Sequence, residues 1–119
     1  MKLIRNYENI CRGDILKSVF ELNTLDLEIY RILKKTGESR ADVLAKKIDR
    51  ERSTVYRSLQ KLTSCDLCAK TTKTIEIGGY YHTYSCNDVK LVREKIESCI
   101  DEWYKQMKKI LKDFEQEMS

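Results

Sequence analysis

A chain of 119 residues has room for one folded core with an appended element and leaves little for a second core. Charged residues make up 35% of it and proline is absent, a composition that suits a helix-rich domain with both signs of charge on its surface and points to no catalytic cleft. The net charge of +4 is too small to argue for a polyanionic partner by itself, so the placement of charge has to carry that argument.

The opening residues, Met1-Lys2-Leu3-Ile4-Arg5-Asn6, lack the uninterrupted apolar core of a signal peptide, and no apolar run approaches the roughly 20 residues needed to span a bilayer. A cytoplasmic protein with no membrane partner is expected. From Met1 to Leu22 the apolar residues Leu3, Ile4, Tyr7, Ile10, Cys11, Ile15, Leu16, Val19, Phe20 and Leu22 fall near a helical period, with a break expected at Gly13. Residues 1–22 read as a helical extension. Asn23 or Thr24 can cap the next helix, whose stripe of Leu25, Ile29, Ile32 and Leu33 stops at Gly37. Ser39-Arg40-Ala41-Asp42 has the form of a capping box with Asp42 in place of Glu, opening a short helix with Val43, Leu44 and Ile48 on its inner face. Asp49 to Glu51 supplies a turn, and the third helix of this domain runs from about Arg52 to Thr63 or Ser64.

Beyond that helix the period changes. Thr71, Thr72, Thr74, Ile75 and Ile77 precede Gly78-Gly79, and Tyr80, Tyr81, Thr83 and Tyr84 follow, which is β-branched and aromatic sequence around a turn. Pairing across the two glycines sets Thr71 opposite Cys86. Three short helices followed by a hairpin is the winged helix-turn-helix order, here over residues 23–87. From Asp88 onward Ile96, Ile100, Trp103, Met107, Ile110 and Phe114 follow alternating steps of four and three, a coiled-coil seam that frays at Glu117. Residues 88–119 therefore read as a coiled-coil helix that pairs two copies, because Trp103 and Phe114 would otherwise lie exposed on a projecting helix. The competing arrangement folds this helix back on its own domain. The expected fold class is mainly α with a small β-hairpin.

The excess charge lies on the expected reading unit: between Glu38 and Lys73 nine cations meet five anions, whereas the segment from Asp88 is balanced to slightly acidic. In the third helix Val55, Leu59 and Leu62 anchor one face, leaving Arg50, Arg52, Ser53, Thr54, Tyr56, Arg57 and Lys61 for the others. Arg52, Arg57 and Lys61 suit phosphates, while Ser53, Thr54 and Arg50 lie near the helix start, where base edges come within reach. Tyr56 divides evenly between a core ring and a hydroxyl that reaches a phosphate. Arg40, with Lys70, Lys73 and Tyr81 of the wing, completes the candidate contacts to double-stranded DNA. The bland alternative is a solvated charged face.

With these elements in order, the chain resembles the TrmB-like and MarR-like winged-helix regulators, most closely the short TrmB-like proteins of archaea. The matching residues are Leu25-Asp26-Leu27-Glu28-Ile29-Tyr30, Ser53-Thr54-Val55-Tyr56-Arg57-Ser58-Leu59-Gln60-Lys61-Leu62 and Gly78-Gly79-Tyr80-Tyr81-His82-Thr83-Tyr84. The resemblance implies sequence-specific DNA binding and transcription regulation as a homodimer, with the third helix in the major groove and the wing on the backbone or minor groove. Larger TrmB-like proteins carry a C-terminal sugar-binding domain. This sequence ends after one long helix, so sugar sensing is not carried over and no effector ligand is named.

Five cysteines without a secretory signal argue for free thiols or metal ligands over a disulfide framework. Cys65 and Cys68 have the two-residue gap that lets thiolates chelate one ion, and His82 with Cys86 completes a Cys3His set for zinc or iron. The expected hairpin pairing strains that set, because it leaves Cys68 about 10 Å from Cys86 at strand rise. Thiol redox sensing is the parallel reading, and a small apolar role for Cys68 and Cys99 the plain one; no cofactor is the base expectation. Catalysis finds no support: His82 is the only histidine, and neither a Gly-rich phosphate loop nor a paired-carboxylate motif is present. The other functional class is a winged-helix adaptor that binds proteins without reading bases.

Overall fold

The structure is a computed structural model that describes residues 12–119. Five helices and one hairpin follow in the order α1 (Arg12–Phe20), α2 (Thr24–Thr36), α3 (Ala41–Ile48), α4 (Arg52–Ser64), β1 (Cys68–Thr74), β2 (Tyr80–Cys86) and α5 (Val89–Met118). Gly13, expected as a break, is instead the second residue of α1, and the chain turns at Glu21, whose φ is 55°. The apolar positions from Leu3 to Cys11 lie outside the described residues.

α2 opens with a reciprocal capping box: the Asp26 amide donates to Asn23 Oδ1 at 2.8 Å, and the Asn23 amide donates to Asp26 Oδ2 at 3.0 Å. It closes at Gly37, whose φ of 78° is open to glycine at little cost. The capping box expected at Ser39–Asp42 does not form. The Ser39 backbone exchanges hydrogen bonds of 2.9 and 2.8 Å with Tyr84, and Asp42 pairs with Arg40 at 3.3 Å. Val43 also departs from its expected inner position; it is exposed, and Ala45 is buried beside Leu44 in its place. Asp49 takes the left-handed conformation that turns the chain into α4.

Ile29 and Leu33 of α2, Leu44 of α3, Val55, Leu59 and Leu62 of α4 and the following Leu67 are fully buried in one cluster. The core therefore sits between the three helices and the root of the hairpin.

β1 and β2 pair antiparallel with Cys68 opposite Cys86, Lys70 opposite Tyr84 and Thr72 opposite His82. This register is three residues from the one expected across Gly78-Gly79. The turn is instead Ile75–Gly78, closed by the Gly78 amide donating to the Ile75 carbonyl at 3.0 Å, and Ile75 then pairs with Gly79. Positive φ values of 102° and 94° at Gly78 and Gly79 let the chain leave that turn at once, as three-residue hairpin loops require.

α5 starts at Asp88, whose carboxylate accepts from the Lys90 amide at 2.8 Å. Val92 is buried, Ile96 packs on the core cluster, and Lys95 reaches Asp66 at 3.3 Å. Its first turns lie against α1. At 1.5 Å per residue the helix is about 45 Å long, and the molecule measures 70 × 30 × 26 Å. α5 projects away from the domain and is not folded back on it.

Candidate nucleic-acid interface

The outward face of α4 is fixed by what its inward face buries. Besides Val55, Leu59 and Leu62, that inward face carries Ser58, whose hydroxyl donates to Asp26 Oδ1 at 2.6 Å. Lys61 Nζ lies 2.8 Å from Asp26 Oδ2. One nearly inaccessible carboxylate thus caps α2 and clamps α4 to it. Burial pushes the Asp26 pKa up, but the bonds from Lys61, Ser58 and the Asn23 amide more than offset it and hold the carboxyl below its usual range.

On the far side of α4 Arg50, Arg52, Ser53 and Arg57 are exposed and Thr54 is half-buried. Among the described residues Arg50, Arg52, Arg57 and Lys70 form no ion pair, so their charge faces solvent. Tyr56 is 43% exposed, with its hydroxyl accepting from Gln60 Nε2 at 3.2 Å, so its ring is neither core nor fully presented.

Alternation along the strands sorts the wing into two faces. The pairs Lys70–Tyr84, Thr72–His82 and Thr74–Tyr80 share one of them. Tyr84 is buried, its hydroxyl pKa raised by burial and then by Tyr56. It separates two open clefts between α4 and the wing. The first, about 270 Å³, is lined by Arg40, Arg52, Tyr56, Tyr80, Tyr81 and His82 among others. The second, about 430 Å³, includes Gln60, Lys61, Ser64 and Lys70. The opposite wing face is tied to the segment before α3. Glu38 accepts from Thr83 and pairs with Lys73 at 3.1 Å, and those two partners lower its pKa. The Arg40 guanidinium stands 4.9 Å over the Tyr81 ring.

The candidate contacts therefore divide. Arg50, Arg52, Ser53, Arg57 and Lys70 are exposed, Arg52 lining the first cleft and Lys70 the second, whereas Arg40, Lys61 and Lys73 already have acidic partners within the chain. Asp26, Ser58, Glu38, Gln60, Tyr80 and Tyr84 were not singled out from sequence; only the Asn23–Asp26 spacing carried a readable signal.

The cysteine constellation is also rearranged. Cys68 and Cys86 are direct cross-strand partners, not residues 10 Å apart, while His82 lies four pairs further along and bonds Thr72 through Nδ1 at 3.1 Å. Cys65 is half-buried at the end of α4, its thiol pKa raised chiefly by burial. Among the described residues no three His, Cys, Asp or Glu side chains are grouped to hold a metal ion.

Residues 16–90 match the family model described as sugar-specific transcriptional regulator TrmB. An uncharacterized Methanocaldococcus jannaschii protein, MJ1503, is 31% identical over 101 residues, covering 85% of this chain and 76% of its own length. A possible transcriptional regulator from Methanosarcina mazei superposes with a TM-score of 0.75 at 24% identity, over 87% of this chain and 88% of its own. The Sulfolobus tokodaii protein ST1889 superposes at 0.66 with 16% identity, over 87% and 99%, which again shows the shared fold. No helix among the described residues is long and apolar enough to cross a membrane. With helix-turn-helix, wing and cationic α4 in place and the family match spanning all three, the chain belongs to the TrmB family, as a winged-helix DNA-binding transcriptional regulator and not an enzyme.

Proposed function

We propose that the protein is a cytoplasmic homodimer that reads a specific site on double-stranded DNA, with α4 in the major groove and the wing along the backbone or minor groove. The observation that carries this reading is the surface at the start of α4, where Arg50, Arg52, Ser53 and Arg57 are exposed with no ion pair of the three arginines among the described residues, and Arg52 shares a cleft with the wing. Guanidinium groups there neutralise phosphates, and Ser53, Thr54 and Arg50 are near enough to the helix start to meet base edges. Lys70 adds a phosphate contact from the wing. Lys61 and Lys73 would have to leave Asp26 and Glu38 to do the same, so they contribute less.

Dimerisation is supported by α5. Ile100, Met107, Ile110 and Phe114 of the seam are exposed, and Trp103 is half-buried. Tyr104, Leu111 and Met118 are exposed as well, giving a second line that shares Ile100, Met107 and Phe114 with the first. An apolar face this wide on a projecting helix needs a partner in water, and a second copy of α5 supplies one of matching shape. Two α4 helices are then presented together, and linkage multiplies their half-site affinities.

The test is a comparison of variants on a duplex selected from a random library. Ser53→Ala with Thr54→Ala should change which bases are preferred, whereas Arg57→Ala should weaken all duplexes alike. Unchanged base preference in the double variant would remove the assigned groove contacts.

A further inference from the structure

The register of the wing brings together two thiols that the DNA-reading surface does not use. Cys68 opens β1 and Cys86 closes β2, directly opposite each other. The Asn87 amide donates to the Leu67 carbonyl at 3.0 Å, and the Ile75 amide donates to the Gly79 carbonyl at 3.1 Å. Hydrogen-bonded pairs therefore fall on the odd-numbered residues of β1, and Cys68–Cys86 is a non-hydrogen-bonded pair, the kind in which facing side chains come closest. In such pairs the Cα atoms stand about 4.5 Å apart, inside the range a disulfide spans.

We propose that Cys68 and Cys86 form a reversible intramolecular disulfide on reaction with small disulfides, and that closing it turns down DNA binding by shifting the root of the wing.

The two thiols differ in access. Cys68 is 2% exposed, whereas Cys86 is half-buried and, as a thiol, donates to the Tyr30 carbonyl at 3.6 Å. The bond between the two thiols, aided for Cys68 by burial, pushes Cys68 up; the same bond, aided by Lys34, makes Cys86 the more readily ionised. Cys86 thiolate attacks one sulfur of the small disulfide, forming a mixed disulfide and releasing the other half as a thiolate, which takes up a proton. Cys68 then gives up its proton and displaces the second small thiol from Cys86. Two protein thiols and one small disulfide become one protein disulfide and two small thiols, so atoms and electrons balance.

Closure changes the packing of the wing root. A disulfide most often spans Cα atoms about 5.5–6 Å apart, whereas a non-hydrogen-bonded pair holds them at about 4.5 Å, so closure strains and shifts the two strand ends, and Cys86 leaves the Tyr30 carbonyl. Tyr30 packs at this point, its hydroxyl pKa pushed up to about 12 by burial and then by the two thiols. The same hairpin carries Tyr84 and Lys70 beside α4, so movement at its root alters the trough that receives DNA. Strain of that origin also makes the bond easy for thiols to reopen.

The effect on DNA rests on the binding mode proposed above; the covalent step does not. The experiment treats the reduced full-length protein with oxidised glutathione, maps the products by mass spectrometry without reduction, and measures binding to a selected duplex before and after. The expected result is a protein two hydrogens lighter with Cys68 and Cys86 peptides linked, restored by dithiothreitol, and at least about fivefold weaker on the duplex. Cys65→Ser and Cys99→Ser should behave as the parent, while Cys86→Ser should lose both the link and the change in binding. Cys68→Ala serves as a second variant should Cys86→Ser fold poorly. A link through Cys11, Cys65 or Cys99, or a glutathione adduct that never resolves, overturns the pair. A Cys68–Cys86 link that leaves binding unchanged overturns its regulatory effect. Failure of the reduced protein to select any duplex counts against the proposed function, while the mapped link still decides the thiol chemistry.

Discussion

Asp26 does three jobs with one carboxylate: it caps α2, accepts from Ser58 and pairs with Lys61. Asp26→Ala leaves Ser58 buried without its acceptor, and we expect a loss of about 2–3 kcal/mol in urea unfolding, the Lys61 share being reduced by that side chain's exposure. The pH dependence has a definite sign. The folded-state pKa of Asp26 lies below its unfolded value of about 3.9, so its contribution is complete above that pH and is lost as pH falls through the folded value. The urea midpoint should therefore drop more steeply on acidification in the parent than in Asp26→Asn; parallel curves would show that Asp26 is not the group responsible. Arg57 and Lys61 lie on the same helix with opposite prospects. Arg57→Ala should lower the slope of log affinity against log salt by about 1, and Lys61→Met should leave it nearly unchanged while reducing stability. An equal loss of slope in both would mean that Lys61 leaves Asp26 to bind phosphate. This division was not legible in the sequence. The outward set of Arg50, Arg52, Ser53 and Arg57 follows from the Val55–Leu59–Leu62 stripe, but the partners of Lys61 and Lys73 lie in distant segments that only tertiary packing brings near.

At the scale of the element, α5 carries the sharpest expectation. Glutamate at Phe114 or Ile110, each more than half exposed, would place charge in the middle of the apolar face. Sedimentation of Phe114→Glu or Ile110→Glu should give a monomer where the parent gives a dimer, with the helical content of the domain retained. A parent that sediments as a monomer would remove the seam altogether. The apolar stripe of α5 was readable because steps of four and three need only local sequence; that it pairs two copies is what sedimentation tests. Its second line through Tyr104, Leu111 and Met118 was readable by the same rule but was masked by the first. The hairpin was legible as an element and misread in register, for a physical reason. Gly78-Gly79 satisfies a two-residue turn as well as the three-residue turn observed, and local sequence does not separate them. What accompanies the observed register is long-range: the bridge from Ser39 to Tyr84, the Glu38–Lys73 pair and the burial of Cys68 and Tyr84. Ser39 is likewise drawn from its expected cap by that bridge.

For the whole molecule, the architecture followed from the sequence because each helix has its own stripe and stop, Gly37 and Asp49 among them. The trough between α4 and the wing, with Tyr84 between its two clefts, depends on packing that no local pattern encodes. The central claim is that this trough and the start of α4, doubled by the α5 dimer, read a specific duplex. The most direct measurement is selection from a random duplex library followed by footprinting of the enriched sequence at physiological salt. The account predicts a near-palindromic site with half-sites about one helical turn, roughly 10 base pairs, apart or a multiple of it. Enrichment no greater than for random duplex, or a single half-site protected by a monomer, would contradict it.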